Sequence, residues 1–154
     1  VRLVTALLCA ATAAVVPATA GHAAACPAAI ADPAGDAPSP DLDIVRAEIA
    51  TGARTLVVRL KVVSLTPPAG TPLAPVTWTV AFSSRGVTYA FYRQRGPGGA
   101  TSNGHSVGTA AVPVSVTTDA TTITWTASRP GSALTPCDRR ATTAVSGFTT
   151  DTAT

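Results

Sequence analysis

The sequence is poor in the residues on which most enzyme and cofactor chemistry rests. Among 154 residues there is no methionine, and there are 3 cysteines, 2 histidines and only 12% charged side chains. Lys61 is the single lysine and Glu48 the single glutamate. A zinc site of the His/Cys kind takes three or four such ligands, which the chain does not supply without giving up a disulfide. No G-x-S-x-G elbow is present, so the usual seat of a hydrolase serine is missing. "GPGGATSNG" from Gly96 is glycine-rich but lacks the lysine and spacing of a phosphate-binding loop. Nucleic-acid binders cluster Lys and Arg on one face. Here the net charge is +3 and scattered, and the densest basic stretch is "YRQRG" at Tyr92 to Gly96. Apart from the first residues, no apolar run reaches the roughly 20 residues that span a bilayer as a helix, and none shows sustained i, i+3, i+4 periodicity.

What is present begins with an export signal. Arg2 provides a positive start, "LVTALLCAATAAVV" from Leu3 an uncharged apolar stretch, and "PATAGHA" from Pro17 the small residues of a cleavage site. The stretch is short and alanine-rich, which predicts a cleaved leader over residues 1–20, with cleavage as late as Ala25, and a single domain over 26–154. About 130 residues suffice to bury a sizeable core. Cys9 and His22 fall within the region that would be lost by the later cut. Cys26 and Cys137 then remain as an even pair in an exported chain, and the expectation is a disulfide between them. It would close a loop of about 110 residues, rated at roughly 4–5 kcal/mol by chain entropy. "AAAC" ending at Cys26 loosely matches a lipidation signal, but Ala23 stands where leucine is normal, and a lipidated Cys26 would leave Cys137 alone.

Period-2 alternation dominates the rest. "DIVRAEI" places Val45, Ala47 and Ile49 on one face, with Ile44, Arg46 and Glu48 on the other. "TGAR" turns the chain, and "TLVVRLKVV" puts Leu56, Val58, Leu60 and Val62 inward. After the proline-rich "TPPAGTPLAP", "VTWTVAF" aligns Val76, Trp78, Val80 and Phe82. "SSRG" turns, and "VTYAFYR" aligns Val87, Tyr89 and Phe91. "QRGPGGATSNGHS" reads as a long flexible loop containing His105. "VGTAAVPVSVTT" reads as a strand interrupted at Pro113, "TITWTA" as a strand with Ile123 and Trp125 inward, and the tail as loops with one weak strand around Ala144 to Thr149. The pattern predicts an all-β, antiparallel sandwich, jelly-roll or immunoglobulin-like, of about seven to eight strands.

The acidic stretch "ADPAGDAPSPDLDIVRAEI" from Ala31 holds Asp32, Asp36, Asp41 and Asp43 among prolines and a glycine. Calcium takes six to eight oxygens, and these four carboxylates with loop carbonyls are candidate ligands, although no EF-hand spacing is met. The competing reading is turn chemistry: short acidic side chains next to Pro and Gly accept backbone N–H bonds and start the strand. Turn shaping is the leading expectation and calcium the secondary one; no other cofactor is expected.

"DPAGD", "PDLDIVRAEI", "ARTLVVRLKV" and the later "TWTVAF" and "GVTYAFY" resemble secreted bacterial β-sandwich modules. The type is similar to the C-terminal module of glucodextranases and to DOMON-like or family 9 carbohydrate-binding-like domains. The likeness runs from Asp32 to about Trp125. It implies a jelly-roll-like sandwich, export, and sugar or surface binding. The Met/His haem ligation of some DOMON domains is excluded, because the chain has no methionine.

Sugar recognition needs flat, exposed aromatic faces. Of seven aromatics, Trp78, Phe82, Tyr89, Phe91 and Trp125 carry inward phase. Tyr92 carries outward phase beside Arg93 and Arg95, and these three are the candidate ligand-binding residues. The expectation is a secreted, non-catalytic interaction or envelope-associated protein with an extracellular protein or glycan as partner, no nucleic acid, and no membrane after leader cleavage. The alternatives are a carbohydrate-binding module and a small secreted hydrolase using His105.

Overall fold

The computed structural model describes residues 29–67, 69, 74–130, 134–145 and 148–154. The expected leader and Cys26 lie outside them. The strands are β1 (Ala29–Ala31), β2 (Ile44–Thr51), β3 (Thr55–Val62), β4 (Val76–Ser84), β5 (Val87–Arg95), β6 (Thr101–Val107), β7 (Ala110–Ala111), β8 (Ser115–Thr118), β9 (Thr122–Ser128), β10 (Cys137–Val145) and β11 (Phe148–Ala153). They form two antiparallel sheets packed as a β-sandwich, ordered β1-β2-β3-β9-β8 and β11-β10-β4-β5-β6-β7. The described residues contain no helix. The fold class is as the alternation predicts, but the described residues form eleven strands instead of seven or eight.

The core comes from the expected inward rows. Leu56, Val58, Leu60 and Val62 of β3, Ile123 and Trp125 of β9, and Val80 and Phe91 of the second sheet are wholly buried. Val58 lies opposite Trp125 and Leu60 opposite Ile123, so their side chains share one face of the first sheet. Removing each such side chain from water contributes about 1.5–3 kcal/mol. Both indole N–H groups donate to backbone carbonyls: Trp78 Nε1 to Asp41 O at 2.7 Å and Trp125 Nε1 to Tyr92 O at 3.1 Å. Each tryptophan therefore fills the core without stranding its polar atom.

Five strand-level expectations need correction. Ile44 is wholly buried, because the β2–β3 register shifts between Ile44 and Arg46, and the extra residue, Val45, lets both Ile44 and Ala47 face inward. Val87, at the end of its strand, is 38% exposed. Only Gly96 to Ala100 forms a turn in the stretch read as a long loop; Gly96 N donates to Ala100 O at 2.7 Å, and β6 carries on through His105. The tail gives two paired strands, β10 and β11, where one weak strand is expected. Their inward residues Ala141, Thr143 and Ala153 are small, so the apolar signal in the sequence is faint. Pro113, expected to interrupt one strand, lies between β7 in one sheet and β8 in the other. A proline there removes no ladder hydrogen bond.

Candidate functional site

The acidic loop between β1 and β2 runs along the seam where the two sheets meet, and its end is buried. Asp41, Leu42 and Asp43 are each about 4–5% exposed. Sheet two holds this segment by side chains aimed at its backbone. Trp78 Nε1 donates to Asp41 O at 2.7 Å, and Thr143 Oγ1 donates to Leu42 O at 2.7 Å. Asp41 accepts from Ser39 Oγ at 2.6 Å and pairs with Arg95 Nη2 at 2.7 Å. Asp41 is buried and the Arg95 side chain largely so, and the Arg95 guanidinium lies 5.3 Å from the Trp78 ring centroid. Asp41 is thus a structural anchor and lies outside the carboxylate cluster described next. Asp43 Oδ2 accepts the Gly35 N–H at 2.6 Å, closing the loop on itself.

Asp32 and Asp36 meet a third acid, outside the four expected ligands. Asp151 of β11, 107 residues beyond Ile44, accepts the Ile44 N–H at 2.7 Å, and its other oxygen accepts the Thr152 N–H at 2.7 Å. Ligand oxygens of Asp32, Asp36 and Asp151 all lie within 4.8 Å of one another. The Asp32 carboxyl is pushed above its ordinary value, first by burial and then by the charges of Asp151, Asp36 and Asp43. Asp32 Oδ2 and Asp43 Oδ1 are buried with no hydrogen-bond partner. Of the four expected calcium ligands, the structure brings Asp32 and Asp36 together, adds Asp151, and sets Asp43 close enough for its charge to act on Asp32. Asp151 lies in the threonine-rich tail, where nothing in its neighbours marks it. Only the pairing of β11 beside β10 places it against the loop.

The expected ligand-binding trio does not share a surface. Tyr92 is 38% exposed on the outer face of sheet two, and its ring covers Gly104, directly opposite on β6. A Cβ at position 104 would overlap that ring. Arg93 and Arg95 follow Tyr89 and Phe91 in phase and point to the other face, since alternate strand residues share a side. Arg95 is committed to Asp41. Arg93 donates to Asn103 Oδ1 at 2.9 Å and, with Trp78, Thr101, Thr118 and Asp119, lines a cleft of about 230 Å³ between the sheets. Burial lowers the Arg93 pKa.

His105 is 2% exposed and stacks on Phe91, with ring centroids 4.0 Å apart and planes 10° apart. Neither ring nitrogen has a hydrogen-bond partner, so no serine or carboxylate addresses it. Burial lowers its pKa and keeps it neutral. On the outer face of sheet one, Arg46, Arg59, Lys61 and Thr122 surround Glu48 at a shallow depression of about 140 Å³. Glu48 pairs with Arg46 and, at 4.0 Å, with Arg59.

Comparison with protein-family models, with curated proteins and with solved structures gives no match.

Proposed function

We propose that the protein is an exported, non-catalytic interaction module that meets an acidic partner at the cell exterior through the outer face of sheet one. The observation that carries this reading is the charge set of that face. Arg46, Arg59 and Lys61 stand on the neighbouring strands β2 and β3 around one carboxylate, Glu48. Three cations against one anion leave an excess of two positive charges on a rigid, paired surface. Such a face suits complementary charge and gives specificity and rate more than raw affinity. The non-catalytic reading is supported by His105, whose ring is sealed beside Phe91, and by Asp41, which is spent on Arg95. The export signal and the likeness of the acidic loop and first hairpin to secreted β-sandwich modules agree with it.

The test is pull-down from cell-wall and culture fractions with the exported protein and with a variant carrying Arg59→Glu and Lys61→Glu. Both side chains are exposed, so the variant should fold. Capture that fades at high salt and is lost in the variant is the expected result. Capture unchanged by charge reversal would rule out this face.

A second reading, a carbohydrate-binding module, is favoured by the cleft at Arg93. Its polar rim of Arg93, Thr101, Thr118 and Asp119 offers donors and acceptors to sugar hydroxyls. The Trp78 ring at its base is 2% exposed and provides no stacking platform. Binding on a glycan array that Arg93→Ala abolishes and the charge-reversed variant retains would select this reading over the first.

A further inference from the structure

We propose that Asp32, Asp36 and Asp151 form a calcium site at the seam between the two sheets, with Asp43 alongside it. The cluster alone would not justify this, because acidic groups often gather in solvent. The deciding observation is Asp43. It is 4% exposed, its Oδ2 is fixed by the Gly35 N–H, and its Oδ1 is buried with no partner. Gly35 immediately precedes Asp36, so this bond holds Asp43 against the same bend of the loop that carries Asp36. Asp32 Oδ2 is a second buried oxygen without a partner. A buried, unpaired carboxylate oxygen is costly, and two of them beside further acids call for a cation.

The chemistry selects calcium. The donors are all oxygen, which excludes the softer metals that prefer imidazole and thiolate. Oxygens about 2.3–2.6 Å from one ion can stand up to about 4.6–5.2 Å apart. The separations within 4.8 Å among Asp32, Asp36 and Asp151 fall inside that span. Magnesium holds oxygens at about 2.0–2.1 Å in a strict octahedron and prefers to keep its waters, which suits a cluster of protein carboxylates poorly.

The site's place gives it a purpose. Asp32 follows β1, at the edge of sheet one, while Asp151 belongs to β11, at the edge of sheet two. One ion would bridge the two sheets where the bond from Ile44 N to Asp151 already does so. Calcium is abundant outside cells, and extracellular modules use it at affinities of about 10⁻⁴–10⁻³ M.

The test is calorimetric titration of the exported protein with calcium chloride between about 10 µM and 10 mM, paired with thermal melts in calcium, magnesium and chelator. The expected result is one ion per chain and a melting point raised by about 5–10 °C at saturating calcium, with a smaller response to magnesium. Asp36→Asn should weaken calcium binding at least tenfold. Asp36 is exposed and makes no described hydrogen bond, so this variant keeps the fold, which circular dichroism checks. Asp43→Asn, which retains an oxygen for Gly35 N, should weaken it likewise. Asp119→Asn, in the Arg93 cleft and outside the carboxylate cluster, should leave binding unchanged. Absence of binding heat with an unmoved melting point, or an equal response to magnesium, would overturn the assignment, as would undiminished binding in both Asp36→Asn and Asp43→Asn.

Discussion

His105 shows how far a residue's surroundings can depart from its sequence context. It sits between glycine and serine in "TSNGHS", which reads as loop, yet it is buried against Phe91. Its folded-state pKa lies below the ordinary 6.5 because burial disfavours the imidazolium. As pH falls through 6.5 the unfolded chain takes up a proton that the folded chain refuses. The stability tied to His105 is thus full above pH 6.5 and is lost as pH falls toward the lowered folded value. His105→Leu should flatten the stability profile below pH 6.5 and, by removing two buried unpaired nitrogens, raise stability at pH 7 by about 1 kcal/mol. Urea titrations of both proteins at several pH values measure this, and an unchanged acid slope would contradict it. Asp41 is the converse case. Its acid is paired in a buried site with Arg95, and Asp41→Ala leaves that guanidinium alone. The expected loss is about 3–5 kcal/mol, with much of it recovered when Arg95→Met is added. The sequence shows Asp41 as one acid among four, because the pair spans 54 residues and depends on the loop lying across sheet two.

At the scale of elements, the turn between β4 and β5 carries a visible strain. Arg85 and Gly86 have φ of 52° and 75°, the two positive values of a type I′ hairpin turn. Gly86 adopts its value freely, whereas Arg85 crowds its own Cβ there. Arg85→Asn should therefore stabilise the protein by about 0.5–1 kcal/mol, readable as a higher urea midpoint with unchanged slope. A lower midpoint would show that the arginine side chain contributes more than its backbone costs. The β4–β5 hairpin was legible because strong alternation flanks an Arg-Gly pair. The β5–β6 hairpin was not, since β6 is polar and its pairing is held by β5 and by Tyr92 lying over Gly104. Likewise β2 announced itself, but its bulge at Val45 did not: a bulge is a register event set by the partner strand. Asp151 stayed hidden for a similar reason, as β11 consists of small and polar residues that form a strand only beside β10.

For the whole molecule, alternation sufficed to indicate an all-β sandwich, while the closure of its seam required the three-dimensional arrangement. The expected link from Cys26 to Cys137 would add a covalent tie near that loop. Cys26 lies outside the described residues, whereas Cys137 begins β10 opposite Ser83. Non-reducing mass analysis of the exported protein should find the Cys26–Cys137 linkage and no leader, and two free thiols would refute the linkage. The acidic loop clamps the two sheets together through Asp41, Asp43 and Asp151. Native-state hydrogen exchange followed by NMR tests it most directly. The amides of Gly35 and Ile44 donate to Asp43 and Asp151, and the Trp78 indole donates to Asp41 O. If the loop is a clamp, the Ile44 amide and the Trp78 indole should exchange only with global opening, at rates matching the amides of β3 and β4, with Gly35 close behind. Exchange of these three protons at the rate of an open loop, while β3 and β4 stay protected, would contradict it.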